Sequence, residues 1–380
     1  MNQGHAEVAP SSAARVVQCP GSLRMEQRFP ELADSETAAE GTAAHWVLEQ
    51  GIAGRMPAAG VLAPNGRSVT PEMTQGADVA IEQILLDLTP FGLGLGDLAV
   101  EVPVSIPRVH ANCWGTPDLR CWVPADRHPQ RIATLYLWDY KFGHRPVEAF
   151  ENHQTVAYAV GALGATKLQD AEAQAVLGII QPRAYHRDGV CRWWKVPFSA
   201  LRAMVNIYSS AAHEALGPNP QCHTGPECRD CKARHACVAK QRAAYTAVEF
   251  SYAPQPLELA GEALGLELTT LSDALERLGA RVTGLQEQAS ACLQAGGRVP
   301  GWSIARGQGR VVWMTPAAPV IAIAQSMGVD VCKPAELVTP KQAGAAGLAA
   351  QVVAAFSARL TGEAKLTRDD GSRARKVFSQ

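Results

Sequence analysis

The chain contains no run of about eighteen apolar residues, the length a membrane-crossing helix requires, anywhere in its 380 positions. Its first residues show no basic stretch leading into an apolar core, so no secretory signal is expected. Neither sign of charge is in excess. The 35 Lys and Arg residues stand against 36 Asp and Glu, a formal net charge of −1. That balance argues against a passive, strongly basic nucleic-acid binder. No Gly-x4-Gly-Lys-Ser/Thr loop occurs, so the chain is not expected to drive unwinding by nucleotide hydrolysis. Gly92, Gly94 and Gly96 lack the strand-and-helix frame that a dinucleotide fingerprint needs. No Ser-His-Asp arrangement rises above chance.

What the chain does carry is concentrated between Gly115 and Tyr158. Residues 135–141, Leu-Tyr-Leu-Trp-Asp-Tyr-Lys, are apolar and aromatic with no breaker until Gly143, which predicts a strand. Side chains alternate along a strand, so Asp139 and Lys141 share one face and Tyr140 takes the other. Residues 113–123 predict a second strand, entered through Gly115 and Pro117. If the two pair, Asp118 lies beside Asp139. Two carboxylates of this kind suit magnesium, which takes oxygen ligands and keeps positions for water and phosphate. A lysine beside such a metal orients a nucleophile or stabilises phosphate charge. The plain alternative for Asp139 and Lys141 is a surface salt bridge along a strand.

Two predicted helices flank this set. Residues 38–49 are Ala-rich with helical apolar spacing, and His45 and Glu49 share a face. His45 reads either as a core histidine or as a further metal ligand through its neutral imidazole. Residues 150–163 predict a second helix with Gln154 and Tyr158 on one face. Those two side chains either contact phosphate and orient Lys141, or pack an amphipathic helix. Further on, Arg183, His186, Arg187, Arg192 and Lys195 decorate an expected hairpin with Trp193 and Trp194. Such a hairpin either guides single-stranded DNA by stacking or buries its tryptophans in the core.

Of the 10 cysteines, the informative ones are Cys228, Cys231 and Cys237, a Cys-x2-Cys-x5-Cys group. Three close thiols in a chain of this kind favour a metal centre over disulfides. A fourth ligand is needed, with Cys222 and Cys19 as the candidates. Four thiolates suit a structural zinc or a four-iron cluster, and spacing alone does not separate the two. Cys113, Cys121, Cys191, Cys292 and Cys332 read as small core residues.

The order Gly41-Thr42-x-x-His45, Gly115-x-x-Asp118, Asp139-x-Lys141 and Gln154-x-x-x-Tyr158 resembles the RecB-like branch of the PD-(D/E)XK nuclease superfamily. The resemblance implies a divalent-metal-dependent deoxyribonuclease, an exonuclease that processes DNA ends for recombination, repair or phage replication. It implies magnesium or manganese held by His45, Asp118, Asp139 and the backbone carbonyl of Tyr140. Lys141 would be the catalytic lysine, with Asp118 and Asp139 beside it and Gln154 and Tyr158 in support. Relatives often carry an acidic residue near Glu101, and the resemblance assigns it no definite role. Iron–sulfur members of this branch, among them the CRISPR adaptation exonucleases, place one cysteine ahead of the nuclease motifs and three behind. That implies a [4Fe-4S] cluster on Cys19, Cys228, Cys231 and Cys237, leaves Cys222 outside it, and keeps zinc as the alternative. The Cys19-Pro20-Gly21-Ser22, Glu40-Gly41-Thr42 and Gly301-Trp302 stretches are similar to a phage and prophage family of RecB-like proteins. The implied partners are DNA, single-stranded or with duplex ends, and a separate helicase or single-strand annealing protein. The implied setting is a bacterial or phage-infected cytoplasm. The competing reading is a non-catalytic DNA-binding or scaffolding protein with a zinc-stapled, degenerate nuclease fold.

The expected fold class is α/β, a mixed central sheet flanked by helices, followed by a mainly helical C-terminal accessory region. Pro254 and Pro256 mark a division, giving a domain over residues 1–250 and an α+β region over 256–380 with a polar basic tail. Residues 257–293 predict a long helix with a break near Gly265. Residues 299–304 predict a strand paired with 307–313, and 318–327 and 341–360 predict helices.

Overall fold

A computed structural model describes residues 6–29, 36–251 and 259–304, with residue 351. Two compact units divide the chain, one of residues 1–299 with 374–380 and one of 300–373, and every element below lies in the first. Two short helices, α1 (Ala13–Gln18) and α2 (Gly21–Glu26), open the chain and are followed by α3 (Glu36–Ile52) and α4 (Pro71–Leu88). Thr70 caps α4, its hydroxyl accepting from the Met73 amide, and Pro71 takes the first helical position where no amide is needed.

Seven strands follow: β1 (Ala99–Val100), β2 (Val104–Ser105), β3 (Trp114–Gly115), β4 (Leu119–Val123), β5 (Ala133–Tyr140), β6 (Ala173–Ile180) and β7 (Cys191–Pro197). Helix α5 (His153–Gly164) connects β5 to β6, and α6 (Arg202–Leu216), α7 (Val238–Ser251) and α8 (Gly261–Gln294) complete the described helices. Five strands form one sheet in the order β1-β4-β5-β6-β7, while β2 and β3 form a separate ribbon. Only β5 and β6 run parallel within that sheet, because their connection is a helical crossover rather than a tight turn. The expected mixed sheet flanked by helices is therefore what the chain adopts.

Burial follows from the alternation of side chains. Leu135, Leu137, Leu177 and Ile179 point to the layer that holds α5 and α6, whereas Leu119, Cys121, Trp138 and Tyr140 point to the layer of α3 and α4. All eight residues of β6 are buried, as expected for a strand covered on both faces.

Four expectations need correction. The strand over 113–123 is two strands in two sheets. Pro117 offers no amide, and the chain leaves the β2–β3 ribbon at Gly115 before entering the main sheet at Leu119. The second helix begins at His153, where the Asn152 side chain accepts from the Gln154 and Thr155 amides. Helix α8 runs without a break through Gly265. Residues 299–304 form no strand, having a turn and extended chain instead. The partner strand 307–313, the helix over 318–327, most of that over 341–360, Cys332 and the basic tail lie outside the described residues, as does most of the expected division at 250–256.

The two tryptophans of the β6–β7 hairpin belong to the core. Trp194 is buried and meets Phe150 edge-on at 5.3 Å between ring centres. The Trp193 ring lies over Gly178, where an added Cβ would sit 2.2 Å from Cζ3. Arg192 is buried too, donating to Val147 O at 2.7 Å and Gln181 Oε1 at 2.6 Å. Gly178→Ala is expected to cost about 1–3 kcal/mol through displacement of that ring. Urea unfolding measures it, and an unchanged midpoint would contradict the packing.

Candidate functional site

Strand register assembles the acidic residues. Val100 pairs with Leu119, and the next step joins the Glu101 amide to Asp118 O at 2.9 Å. Leu119 pairs with Trp138, so Asp118 and Asp139 stand one step beyond that pair. Glu101, Asp118 and Asp139 thus occupy three neighbouring strands at one level. Glu101 adopts a left-handed backbone with φ 49°, unusual for a residue with a side chain.

His45 on α3 approaches from the other layer. Its Nδ1 lies 3.6 Å from Asp118 Oδ1, and its ring meets the Tyr140 ring edge-on at 5.4 Å. Asp118 Oδ2 accepts from the Tyr140 amide at 2.7 Å. Ligand atoms of His45, Glu101 and Asp118 all lie within 4.8 Å of one another. One imidazole nitrogen and two carboxylate oxygens at that separation fit a hard divalent cation with small adjustment.

Asp139 plays a different part. Only 2 % exposed, it holds Lys141: Nζ lies 3.1 Å from Oδ1 and 2.9 Å from Oδ2. The approach to Oδ2 is an ion-pair contact without hydrogen-bond alignment, and that oxygen has no directed donor. Gln154 braces the pair, its Nε2 donating to Asp139 Oδ1 at 3.0 Å and its Oε1 lying 3.4 Å from Lys141 Nζ. The Tyr158 hydroxyl in turn hydrogen-bonds Gln154. Gly115 makes room for this arrangement, since a Cβ there would lie 3.0 Å from Tyr158 Cε1 and 2.9 Å from Pro10 Cδ. The residues singled out in the sequence therefore converge at one end of the sheet, in two linked groups. One is His45, Glu101 and Asp118. The other is Asp139, Lys141, Gln154 and Tyr158.

Electrostatics follow from this crowding. Burial and the Asp139 charge raise the Asp118 carboxyl from 3.8 to about 6, against the lowering effects of His45 and Lys141. Partial burial, then the charges of Asp118 and Glu49, raise Glu101 from 4.5 to about 7, although the residue as a whole is exposed. Burial lowers the Lys141 ammonium, but Asp139 and Asp118 outweigh it and the net direction is up. The site is thus a cluster of acids short of positive charge.

The cysteines gather elsewhere. Cys19, Cys222, Cys228, Cys231 and Cys237 line one cavity. Cys222, which the resemblance leaves outside the cluster, lies within hydrogen-bond reach of both Cys19 and Cys237. Only its spatial neighbours show this, because its sequence spacing matches no pattern. Among the described residues, no three of these sulfurs lie within 4.8 Å of one another. Gln18 Nε2, Ser22 Oγ and Arg234 Nε also line the cavity, buried and without partners. Donors placed this way suit the sulfurs of a cluster. Burial pushes the Cys19 thiol to about 11 and Cys231 to about 12, so metal binding here must release protons. The wall of the cavity joins distant chain: Cys19 Sγ accepts from the His223 amide at 3.3 Å, Gly21 N donates to Gln221 O at 2.7 Å and Lys232 N to Glu26 Oε1 at 2.8 Å. Of the other cysteines, Cys113 and Cys121 are buried, while Cys191 and Cys292 are half-buried.

At the β6–β7 turn the exposed aromatic is Tyr185, 95 % exposed, rather than either tryptophan. Gln181 ties this turn to the loop after Lys141, donating to Gly143 O at 2.8 Å and Arg145 O at 2.6 Å. Arg183 fixes its other side, pairing with Glu40 on α3 at 2.8 Å and Glu72 on α4 at 3.3 Å. No helix among the described residues is long and apolar enough to cross a membrane.

Fold and site together define an α/β protein with a candidate cation site of His, Glu and Asp and a separate thiol-lined cavity. The chain belongs to the DUF2800 family, described as a protein of unknown function, whose family model matches residues 5–351.

The raised carboxyls give a pH signature. Between about 4 and 7 the folded state retains protons on Asp118 and Glu101 that the unfolded chain has released. The contribution of these two groups to the stability of the metal-free protein is therefore largest below this window and falls as pH rises through it. Glu101→Gln is expected to flatten that fall, and manganese to reverse it by stabilising the ionised site. Urea midpoints at stepped pH, with EDTA and then with manganese, test both; equal slopes in wild type and variant would contradict the assignment.

Proposed function

We propose that this chain is a divalent-metal-dependent DNA nuclease of the RecB-like PD-(D/E)XK type, acting as an exonuclease that processes DNA ends for recombination, repair or phage replication. The observation that carries this reading is the junction of His45, Glu101 and Asp118 with an Asp139–Lys141–Gln154 unit anchored on the buried Asp139. His45, Asp118, Asp139 and the Tyr140 carbonyl would hold magnesium or manganese, with Glu101 joining His45 and Asp118. Asp139 supports Lys141 in this arrangement, and the Tyr140 backbone fixes the orientation of Asp118. A divalent cation bound there supplies a Lewis acid to a phosphate oxygen. Lys141 lies at the border of the acidic group, with its side chain 30 % exposed, and can turn a proton donor toward an attacking water or a phosphate oxygen. Gln154 and Tyr158 keep that ammonium in place. Tyr185 offers a face on which an unpaired base stacks. The chain's near-neutral charge then needs a cation to accept a polyanion, and an exposed end or a separate helicase to present single strands. A degenerate scaffold would have no use for a lysine paired with a buried carboxylate and braced by a glutamine.

The thiol cavity would hold a [4Fe-4S] cluster. The unpartnered donors around it favour this over zinc, and Cys222 competes with Cys19 as the fourth ligand.

Two experiments test these readings. End-labelled single- and double-stranded DNA with manganese is expected to be degraded by wild type, with a loss of about 100-fold or more in Lys141→Ala and Asp118→Asn. Matching thermal melts establish that the variants fold, and undiminished cleavage by both would refute the nuclease. Anaerobically purified protein is expected to be brown, absorbing near 400 nm with about four irons per chain. Stoichiometric zinc without iron would overturn the cluster.

A further inference from the structure

Helix α8 carries a seam that neither site uses. Leu264, Leu271, Leu278 and Leu285 recur every seventh residue, and Leu268, Leu275 and Val282 fall between them with 4–3 spacing throughout. Six of these seven, all but Leu278, are between 43 and 73 % exposed. The helix packs on its own chain by another stripe: Arg281 donates to His235 O, Gly284 lies against the His235 backbone, and Glu287 pairs with Arg234. An apolar line of period 3.5 is the pattern of a supercoiled helix pair, not of a helix resting on a sheet, whose period is 3.6.

We propose that this seam pairs with the same seam of a second copy of the chain, forming a two-stranded coiled coil. Three observations select that occupant. The first is length. The seam runs about 32 Å along a helix of 34 residues, whereas the next longest described helices, α3 and α4, have only 17 and 18 residues and bury most of their apolar side chains. The second is sequence. Residues 305–380 hold no stretch with leucine at every seventh position, so the matching seam within this chain is α8 itself. The third is charge. The positions flanking the seam are Gly265, Glu267, Ser272, Ala274, Gly279, Arg281 and Gln286; Arg281 is engaged by His235 O of its own chain, and the set places no row of like charges face to face in a self-pair. Leucine at four consecutive core positions of one type, with valine among the other, favours two strands. The helix also needs a partner. Gly265, Gly279 and Gly284 in its interior each weaken it by about 1 kcal/mol relative to alanine, and among the described residues most of the seam is exposed.

Pairing through α8 is independent of whether the acidic site cleaves DNA. Light scattering on the full chain, with its cofactors, is expected to give about twice the 40.4 kDa of one chain at micromolar concentration. Leu271→Lys with Leu275→Lys is expected to reduce this to one chain, with an unchanged melt of the remaining fold, because both side chains are exposed in a single copy. A wild type of single-chain mass overturns the proposal, including the case where residues 305–380 cover the seam. A dimer that survives the double substitution overturns it as well, since another surface then carries the association.

Discussion

Everything at the candidate site depends on one electrostatic strain: three carboxylates held at one level of neighbouring strands. Backbone pairing, not side-chain attraction, puts Glu101, Asp118 and Asp139 together, and it does so against their mutual repulsion. The fold offsets one of them with Lys141, turned inward by strand alternation, and partly offsets a second with His45 from α3. The third charge is left to solvent and to whatever cation arrives. A sheet whose hydrogen bonds were weaker would splay at this end, and with it would go the relation between α3, α5 and the strands.

The thiol cavity is built on the opposite principle. There the thiols of Cys19 and Cys231 are buried and reluctant to ionise, and buried donors of neighbouring side chains lack partners. An acid-rich pocket waits for a hard cation, and a thiol-rich one for a soft metal. On the proposed reading, keeping the two apart in one compact unit would let each select its own metal by ligand chemistry, without competition for the same atoms.

Much of this was legible in the residues. The aromatic and apolar run before Asp139 gave β5 and the shared face of Asp139 and Lys141, and alanine-rich periodicity gave α3 with His45 on it. What escaped was everything set by non-local contact. Glu101 joins His45 and Asp118 through a short edge pairing and a left-handed turn that no local pattern announces. Cys222 enters the thiol cavity because Gly21 leaves room for it, an added Cβ there falling 2.5 Å from Sγ. Trp193 and Trp194 read either as a stacking surface or as core, and the structure packs both against core, with the glycine opposite making room for the Trp193 ring. The apparent strand over 113–123 concealed a change of sheet, which alternation alone does not reveal.

The contacts that bind residues 18–26 to residues 217–232 bear on how the protein is made. Cys19 and its amide partner are 204 positions apart. A ribosome adding 5–20 residues per second needs about 10–40 s to produce the second after the first. Throughout that interval the N-terminal segment has emerged without its counterpart, its thiol open to oxidants and its short helices without the wall they rest on. The cavity therefore cannot close before residue 237 is made, and on the proposed reading metal delivery would follow that point rather than accompany the beginning of the chain.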